Sequence, residues 1–257
     1  MPPRISIITV CLNSAQTIRD TLISVASQDF HEVEHLIIDG GSRDGTLEVV
    51  RAEAGPCARL VSEPDLGIYD AMNKGIGLAT GDVVGFLNAD DTFAGPHVLQ
   101  RVCEVMSRPG VDACYGDLVY VDSADPSRIV RYWKSGPFRP GSFSRGWVPP
   151  HPTFFTRAST YRQHGSFDLR YRLAADFDLL VRLFEGRRIA AEYLPEVLVR
   201  MRTGGATNKN LLNIFKQNLE ICRALYRNGV PPSPFFAVSK VAARLRQRMT
   251  RFAGAVR

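Results

Sequence analysis

The chain has 257 residues, 45% hydrophobic and 23% charged, an ordinary balance for a globular protein with enough apolar residues for one large core or two small ones. Its five cysteines, Cys11, Cys57, Cys103, Cys114 and Cys222, are odd in number and widely spaced without a C-x-x-C pair; this argues against a disulfide framework or a cysteine zinc site and for reduced thiols in a cytosolic protein. The net charge of +6 is matched by Lys240, Arg244, Arg246, Arg248, Arg251 and Arg257, in a stretch with no acid, so the body has no excess charge and no nucleic-acid-binding face is expected.

No apolar run reaches the roughly 18 uncharged residues of a transmembrane helix, and the segment 5–12 is too short and strand-like for a signal peptide. Ile5 to Cys11 has the β-branched content of a strand, Asn13-Ser14 supplies a turn, and Ile18, Leu22, Val25 and Ala26 recur at helical spacing. His35 to Asp39 is a second short strand, closed by Gly40-Gly41-Ser42-Arg43-Asp44-Gly45 and followed by a helix pattern over Thr46 to Ala54. Arg59 to Ser62 suggests a third strand, and Ile68 to Ala79 a third helix. Val83-Val84-Gly85-Phe86-Leu87 reads as an interior strand covered on both faces. Four strands alternating with helices in ninety residues predict an α/β fold, a doubly wound and mostly parallel sheet with helices on both faces.

In that arrangement the polar clusters Thr9 to Asn13, Asp39 to Asp44, Glu63 to Asp65 and Asn88 to Asp91 all fall at strand C-termini, the edge where open α/β sheets bind ligands. A nucleotide suits such an edge, with Gly40-Gly41 permitting close backbone approach and helix starts offering N–H groups. The dinucleotide pattern G-x-G-x-x-G and the P-loop pattern are both absent. The adjacent carboxylates of Asp90 and Asp91 repel each other unless a cation lies between them, so a hard divalent metal is one reading of Asn88-Ala89-Asp90-Asp91 and a solvated acidic turn the other.

Four ordered blocks then carry a resemblance. Thr9-Val10-Cys11-Leu12-Asn13, Ile38 to Thr46, Ser62 to Gly75 and Leu87-Asn88-Ala89-Asp90-Asp91 resemble the successive motifs of family 2 glycosyltransferases, with a weaker match continuing to about residue 207. The resemblance implies a GT-A fold, a nucleotide-diphosphate sugar donor (a UDP-sugar is expected) and inversion at the anomeric carbon. It implies that Thr9, Asn13, Asp39, Gly40 and Ser42 hold base and ribose, that Asp65, Asn73 and Lys74 lie near the nucleotide or its phosphates, and that Asn88, Ala89, Asp90 and Asp91 form the D-x-D region for diphosphate and Mg²⁺ or Mn²⁺. Asn88 stands where many relatives have Asp, so the metal load falls on Asp90 and Asp91, which sequence does not rank.

Further along, 112–120 is a strand candidate in which Asp117 either faces the donor sugar or is an exposed loop acid. Residues 133–152, rich in Gly and Pro, form a long loop whose aromatics are candidates for an acceptor pocket. His151 matches a histidine frequent in the family, with a structural hydrogen bond as the alternative. Phe177, Leu180, Val181 and Phe184 mark an amphipathic helix that puts Asp176 in or just before its first turn, where the helix dipole favours an ionised carboxylate. That position suits either a helix cap or, as the resemblance implies, the base that takes the acceptor proton; Ala175 replaces the Glu that relatives carry beside it. Asp178 points elsewhere and is taken as structural. After a strand-like 189–201, Arg202 to Asn208 is either a loop or the segment in which Arg202 neutralises leaving diphosphate.

Leu211, Phe215, Leu219, Cys222 and Leu225 or Tyr226 are expected to line one side of a long helix ended by Asn228-Gly229. Beyond it, Val241, Leu245, Met249 and Phe252 beside the basic residues describe a basic amphipathic tail, either packed or solvated, or attached to an anionic membrane surface. The expected organisation is a GT-A domain over 1–207, divided into a donor half (1–110) and an acceptor half (111–207), with a helical extension over 208–257. The expected partners are the nucleotide-sugar and a glycan or lipid-linked acceptor, and the expected location is cytoplasmic, peripheral on the inner membrane face. A nucleotidyltransferase is a rival, weakened by the missing basic phosphate loop; a non-catalytic sugar-nucleotide-binding protein is another, favoured by Asn88 and Ala175.

Overall fold

The computed structural model describes residues 2–204, 211–234 and 236. Its strands are β1 (Ile5–Cys11), β2 (Val33–Asp39), β3 (Ala58–Ser62), β4 (Val83–Phe86), β5 (Thr92–Phe93), β6 (Ala113–Val121), β7 (Ile129–Trp133), β8 (Phe154–Arg157) and β9 (Ala191–Arg202). Its helices are α1 (Ile18–Ala26), α2 (Thr46–Glu53), α3 (Ile68–Leu78), α4 (Val98–Met106), α5 (Ala158–His164), α6 (Ala175–Val181) and α7 (Leu211–Arg227). The described strands form one sheet in the order β3-β2-β1-β4-β8-β6-β9-β5, with β7 paired to β6. The first four strands are mutually parallel, as the alternating pattern predicts. Then β8 enters antiparallel between β4 and β6, while β6 and β9 run parallel, so the sheet is mixed but mostly parallel and continues across residue 110.

Alternating side chains divide the core between the two faces of the sheet. Ile8, Val84, Phe86 and Tyr115 pack with α3 and α6, whereas Ile5, Ile7, Val83 and Cys114 pack with α4. With all of these 0–1% exposed, β1 and β4 are interior strands with no wet face. Gly85 makes room there, since a Cβ on it would lie 2.4 Å from the Phe155 ring on the neighbouring strand.

One reading of the second half is corrected. The aromatics of 133–152 do not frame an open pocket: Phe143 is fully buried, and with Phe138 and Trp147 it stacks around Phe184 and Tyr115 in the core. As expected, Phe215, Leu219 and Tyr226 line one side of α7; that side is exposed, and the helix buries Ile221, Ala224 and Leu225 instead. The buried side is set by α6 and the loop before it, and no local period records that. Residues 205–208 of the Gly-Gly segment and the basic tail 237–257 lie outside the described residues. Among the described residues no helix is long and apolar enough to cross a membrane.

Candidate functional site

The parallel strands β1 to β4 deliver their C-terminal ends to one edge, and the expected donor residues gather there. Asp39 ends β2 fully buried, and its carboxylate accepts the N–H groups of Gly41 and Ser42 at 3.0 Å and the Ser62 hydroxyl at 2.7 Å. Burial pushes its pKa up, but the bonds from Ser42, Ser62 and Gly41 outweigh that and hold it below the ordinary carboxylate value. Asp39 is therefore an anion that shapes the turn after β2. The turn is further locked by Asn13, which sits at φ 51° and accepts the Arg43 N–H at 3.0 Å, while its own N–H donates to the Ser42 hydroxyl at 2.7 Å.

Gly40 has a specific reason to lack a side chain. A Cβ there would stand 2.3 Å from Asp65 Oδ2, so the close approach it permits is that of the Asp65 carboxylate. Asp65 in turn accepts the Gly67 N–H at 2.8 Å, which fixes the loop ahead of α3. Lys74 holds the same loop from the helix, reaching Glu63 at 2.9 Å and the Pro64 carbonyl at 2.7 Å.

Two of the expected donor contacts are already committed within the fold. Thr9 is buried inside β1, not at its rim, and its hydroxyl bonds His35 Nε2 at 2.8 Å. The Asn73 amide donates to the Phe167 carbonyl at 2.9 Å and accepts the Phe167 N–H at 3.0 Å, tying α3 to the loop before α6. Asp117 is likewise no exposed loop acid. It is 1% exposed in β6 and accepts from the hydroxyls of Tyr132 and Tyr193 and from the Ser135 N–H, the last two at 2.8 Å.

Beyond β4 the two acids of the Asn88 to Asp91 turn occupy different environments. Asp91 is fully buried, accepting from the Asn88 side-chain amide at 3.1 Å and the Arg202 N–H at 3.3 Å. Asp90 is only half-buried. Burial raises the pKa of both, and for Asp91 the neighbouring Asp90 charge adds to a rise well above the ordinary value. Arg202, at the end of β9, lies beside them: its Nε donates to the Asp90 carbonyl at 3.2 Å and its guanidinium pairs with Asp20. Among the described residues no three His, Cys, Asp or Glu side chains form a metal-holding group. Asp90 is the acid of this turn that is half-exposed, and one carboxylate with phosphate oxygens completing the shell is a donor set that Mg²⁺ accepts.

Asp176 reaches the same edge from the other half of the chain. It lies in the first turn of α6, and Oδ1 accepts the Tyr69 hydroxyl at 2.9 Å. Burial first, and then the Asp176 charge, raise the Tyr69 pKa well above 10, so the phenol stays a donor. Around this pair Tyr69, Phe86, His151 and Phe167 form an aromatic box with ring centroids 5.2–5.5 Å apart. Phe86 is the last residue of β4, so the box links Asp176 to the strand that leads into the Asp90 turn. Buried His151 has no partner on Nε2 among the described residues, and burial lowers its pKa, opposed by the Asp176 charge. Asp178 is buried against Arg182 at 3.6 Å and Asn228 at 3.0 Å, in line with a structural role. Tyr69, Phe167 and Asp20 were missed from sequence; Tyr69 lies inside a quoted block, but nothing local marks its partner.

Comparison with known proteins bears on this site. The family model described as Glycosyl transferase family 2 matches residues 6–164. An uncharacterized glycosyltransferase of Mycobacterium tuberculosis is 35% identical over 187 residues, 70% of this chain and 68% of that protein. A PGL/p-HBAD biosynthesis glycosyltransferase of Mycobacterium bovis is 31% identical over 214 residues, 82% of this chain and 81% of that protein. Among solved structures, a mannosyltransferase from Pyrobaculum calidifontis in complex with GDP-Man and Mn²⁺ superposes with a TM-score of 0.66 at 22% identity, covering 95% of this chain and 70% of its own. The S. aureus TarS fragment 1–349 in complex with UDP gives 0.64 at 17% identity, covering 92% and 68%. The sheet described above is therefore that of the GT-A fold.

Proposed function

The chain belongs to glycosyl transferase family 2 and is a glycosyltransferase, and from that membership we propose an inverting transfer from a nucleotide-diphosphate sugar, a UDP-sugar foremost, to a hydroxyl of a glycan or lipid-linked acceptor in cell-envelope assembly. The observation that supports this reading is the placement of Asp176 beside Tyr69 and the Phe86 box, on the sheet edge that also carries Asp39, Asp65 and Asp90. An inverting displacement needs a base on the face of the sugar opposite the leaving group. The acceptor oxygen forms its bond to the anomeric carbon as the bond to the nucleoside diphosphate breaks. Asp176 takes the hydroxyl proton, and Tyr69 holds the carboxylate oxygen that does not.

Asp39, Asn13 and the Asp65 loop are assigned to the nucleoside, and Asp90 with Arg202 to the diphosphate. Asp90 would hold Mg²⁺ or Mn²⁺, which when bound supplies neutralising charge to the leaving diphosphate. Asp91, with both carboxylate oxygens already accepting bonds, supports the turn from behind. His151 Nε2 is assigned to a hydroxyl of acceptor or sugar. The acceptor's class and the basic tail together suggest work at an anionic membrane face.

The test is Asp176→Asn with a panel of UDP-, GDP- and dTDP-sugars. Transfer is expected to fall about 10³-fold while donor affinity is retained. Transfer at the wild-type rate would remove Asp176 as the base.

A further inference from the structure

Helix α7 is held to the body by one side. Ile221, Ala224 and Leu225 are buried, and Gln217 Nε2 donates to the Leu173 carbonyl at 3.3 Å. The Glu220 carboxylate turns inward and accepts three successive N–H groups, those of Arg172, Leu173 and Ala174, at 3.1, 2.8 and 2.9 Å. The opposite side carries Phe215, Leu219 and Tyr226 at 61%, 53% and 66% exposure. At 100° per residue these three fall on one stripe, and exposed Lys216 and Arg223 line its flank.

Three exposed large apolar side chains in line are more than a helix needs at a water surface. Their charge context says what covers them. Glu220 is the only acid in α7, and it is spent on the loop before α6, so the outward surface is apolar and cationic without a helix carboxylate of its own. We propose that this face of α7 docks on an anionic lipid surface, with Phe215, Leu219 and Tyr226 entering the headgroup region and Lys216 and Arg223 meeting lipid phosphates. An aromatic and aliphatic stripe beside basic residues is the composition of an interfacial helix, whereas a second protein surface would want carboxylate partners placed opposite those cations. The sequence beyond the described residues adds six basic groups and no acid over 240–257, which favours the same partner.

Docking there also fixes orientation. Because Glu220 grips the N–H groups of 172–174, α7 is coupled to the turn that begins α6 and carries Asp176. The docked face thus sets how the Asp176 edge meets a lipid-linked acceptor, a consequence that rests on the function proposed above; the docking itself does not.

Flotation of the full chain with vesicles of phosphatidylcholine alone, and of phosphatidylcholine mixed with phosphatidylglycerol, tests the proposal. The wild type is expected to float only with the anionic vesicles. Phe215→Ser with Leu219→Ser should reduce partitioning by about tenfold or more, and Lys216→Gln with Arg223→Gln by about fivefold per residue. Both pairs lie on an exposed face, so unchanged thermal melts are expected to accompany the loss. Flotation of both variants equal to wild type would overturn the proposal, as would a wild type that ignores anionic vesicles while the apolar pair of substitutions lowers its oligomeric mass. Flotation of Asp176→Asn with normal affinity but without transfer leaves docking intact and bears on the enzymatic reading alone.

Discussion

The Tyr69 hydroxyl donates to Asp176 Oδ1 at 2.9 Å, joining the first turn of α3 to the first turn of α6 across 107 positions of sequence. An ionised carboxylate held by a charge-assisted bond keeps one oxygen aimed and the other free. Tyr69→Phe removes the donor but keeps the ring in its aromatic box. The expected result is a fall in kcat of about tenfold with donor affinity unchanged. The acceptor KM should stay within about twofold of wild type, since the ring keeps its place among Phe86, His151 and Phe167. A kcat equal to wild type would make the bond structural only.

Asp90 and Asp91 are adjacent in sequence yet should respond differently. Asp90→Ala removes the half-exposed carboxylate and is expected to abolish the metal-dependent part of donor binding, read by calorimetry with and without Mn²⁺, while leaving the melting temperature nearly unchanged. Asp91→Ala leaves a hole where a fully buried side chain stood and removes the acceptor of the part-buried Asn88 amide and Arg202 N–H, which costs about 1–3 kcal/mol of stability. Chemical denaturation separates the two.

Gly40→Ala tests whether the Asp65 loop matters to the donor. The new Cβ would meet Asp65 Oδ2 at 2.3 Å, so the carboxylate must turn away, at the expense of the bond it accepts from the Gly67 N–H. A roughly tenfold rise in the donor KM with kcat little altered is expected, since the displacement falls on the side of the site proposed for the nucleoside. Equal loss in kcat would place Asp65 closer to the chemistry.

His35 predicts how stability depends on pH. Burial lowers its pKa from the ordinary 6.5 to about 4, so between these values the unfolded chain binds a proton that the folded chain refuses. The stability contributed by neutral His35 is full above pH 6.5 and is lost as pH falls, with about 2–3 kcal/mol gone near pH 4.5. Urea unfolding of wild type and His35→Gln across this window should show a flatter dependence for the variant, in which a neutral amide replaces the imidazole beside Thr9.

The first half of the sheet was readable because its signals are local. Each strand of β1 to β4 ends in its own polar cluster, and the parallel order follows from strand and helix alternation, so Asp39, Asp65 and Asp90 meet at one edge by topology alone. The environments within that edge were not readable. Thr9 and Asn73 carry the same motif identity as their neighbours, yet one hydroxyl is spent on His35 and one amide on Phe167. Partners 26 and 94 residues away leave no trace in a local pattern.

By itself the sequence determined a mostly parallel α/β sheet and the acids that end its strands, because hydrophobic period and turn chemistry act over a few residues; the family and its GT-A fold were read from the resemblance of four motif blocks. Only the tertiary structure decided which acid of the Asp90-Asp91 pair remains half-exposed, that Asp117 is buried under two tyrosines, and that the apolar stripe of α7 faces outward. The burial of a carboxylate or a helix face depends on what distant segments pack against it. The same holds for Asp176, whose place in a first turn was legible but whose Tyr69 partner was set by the packing of α3 against the loop before α6.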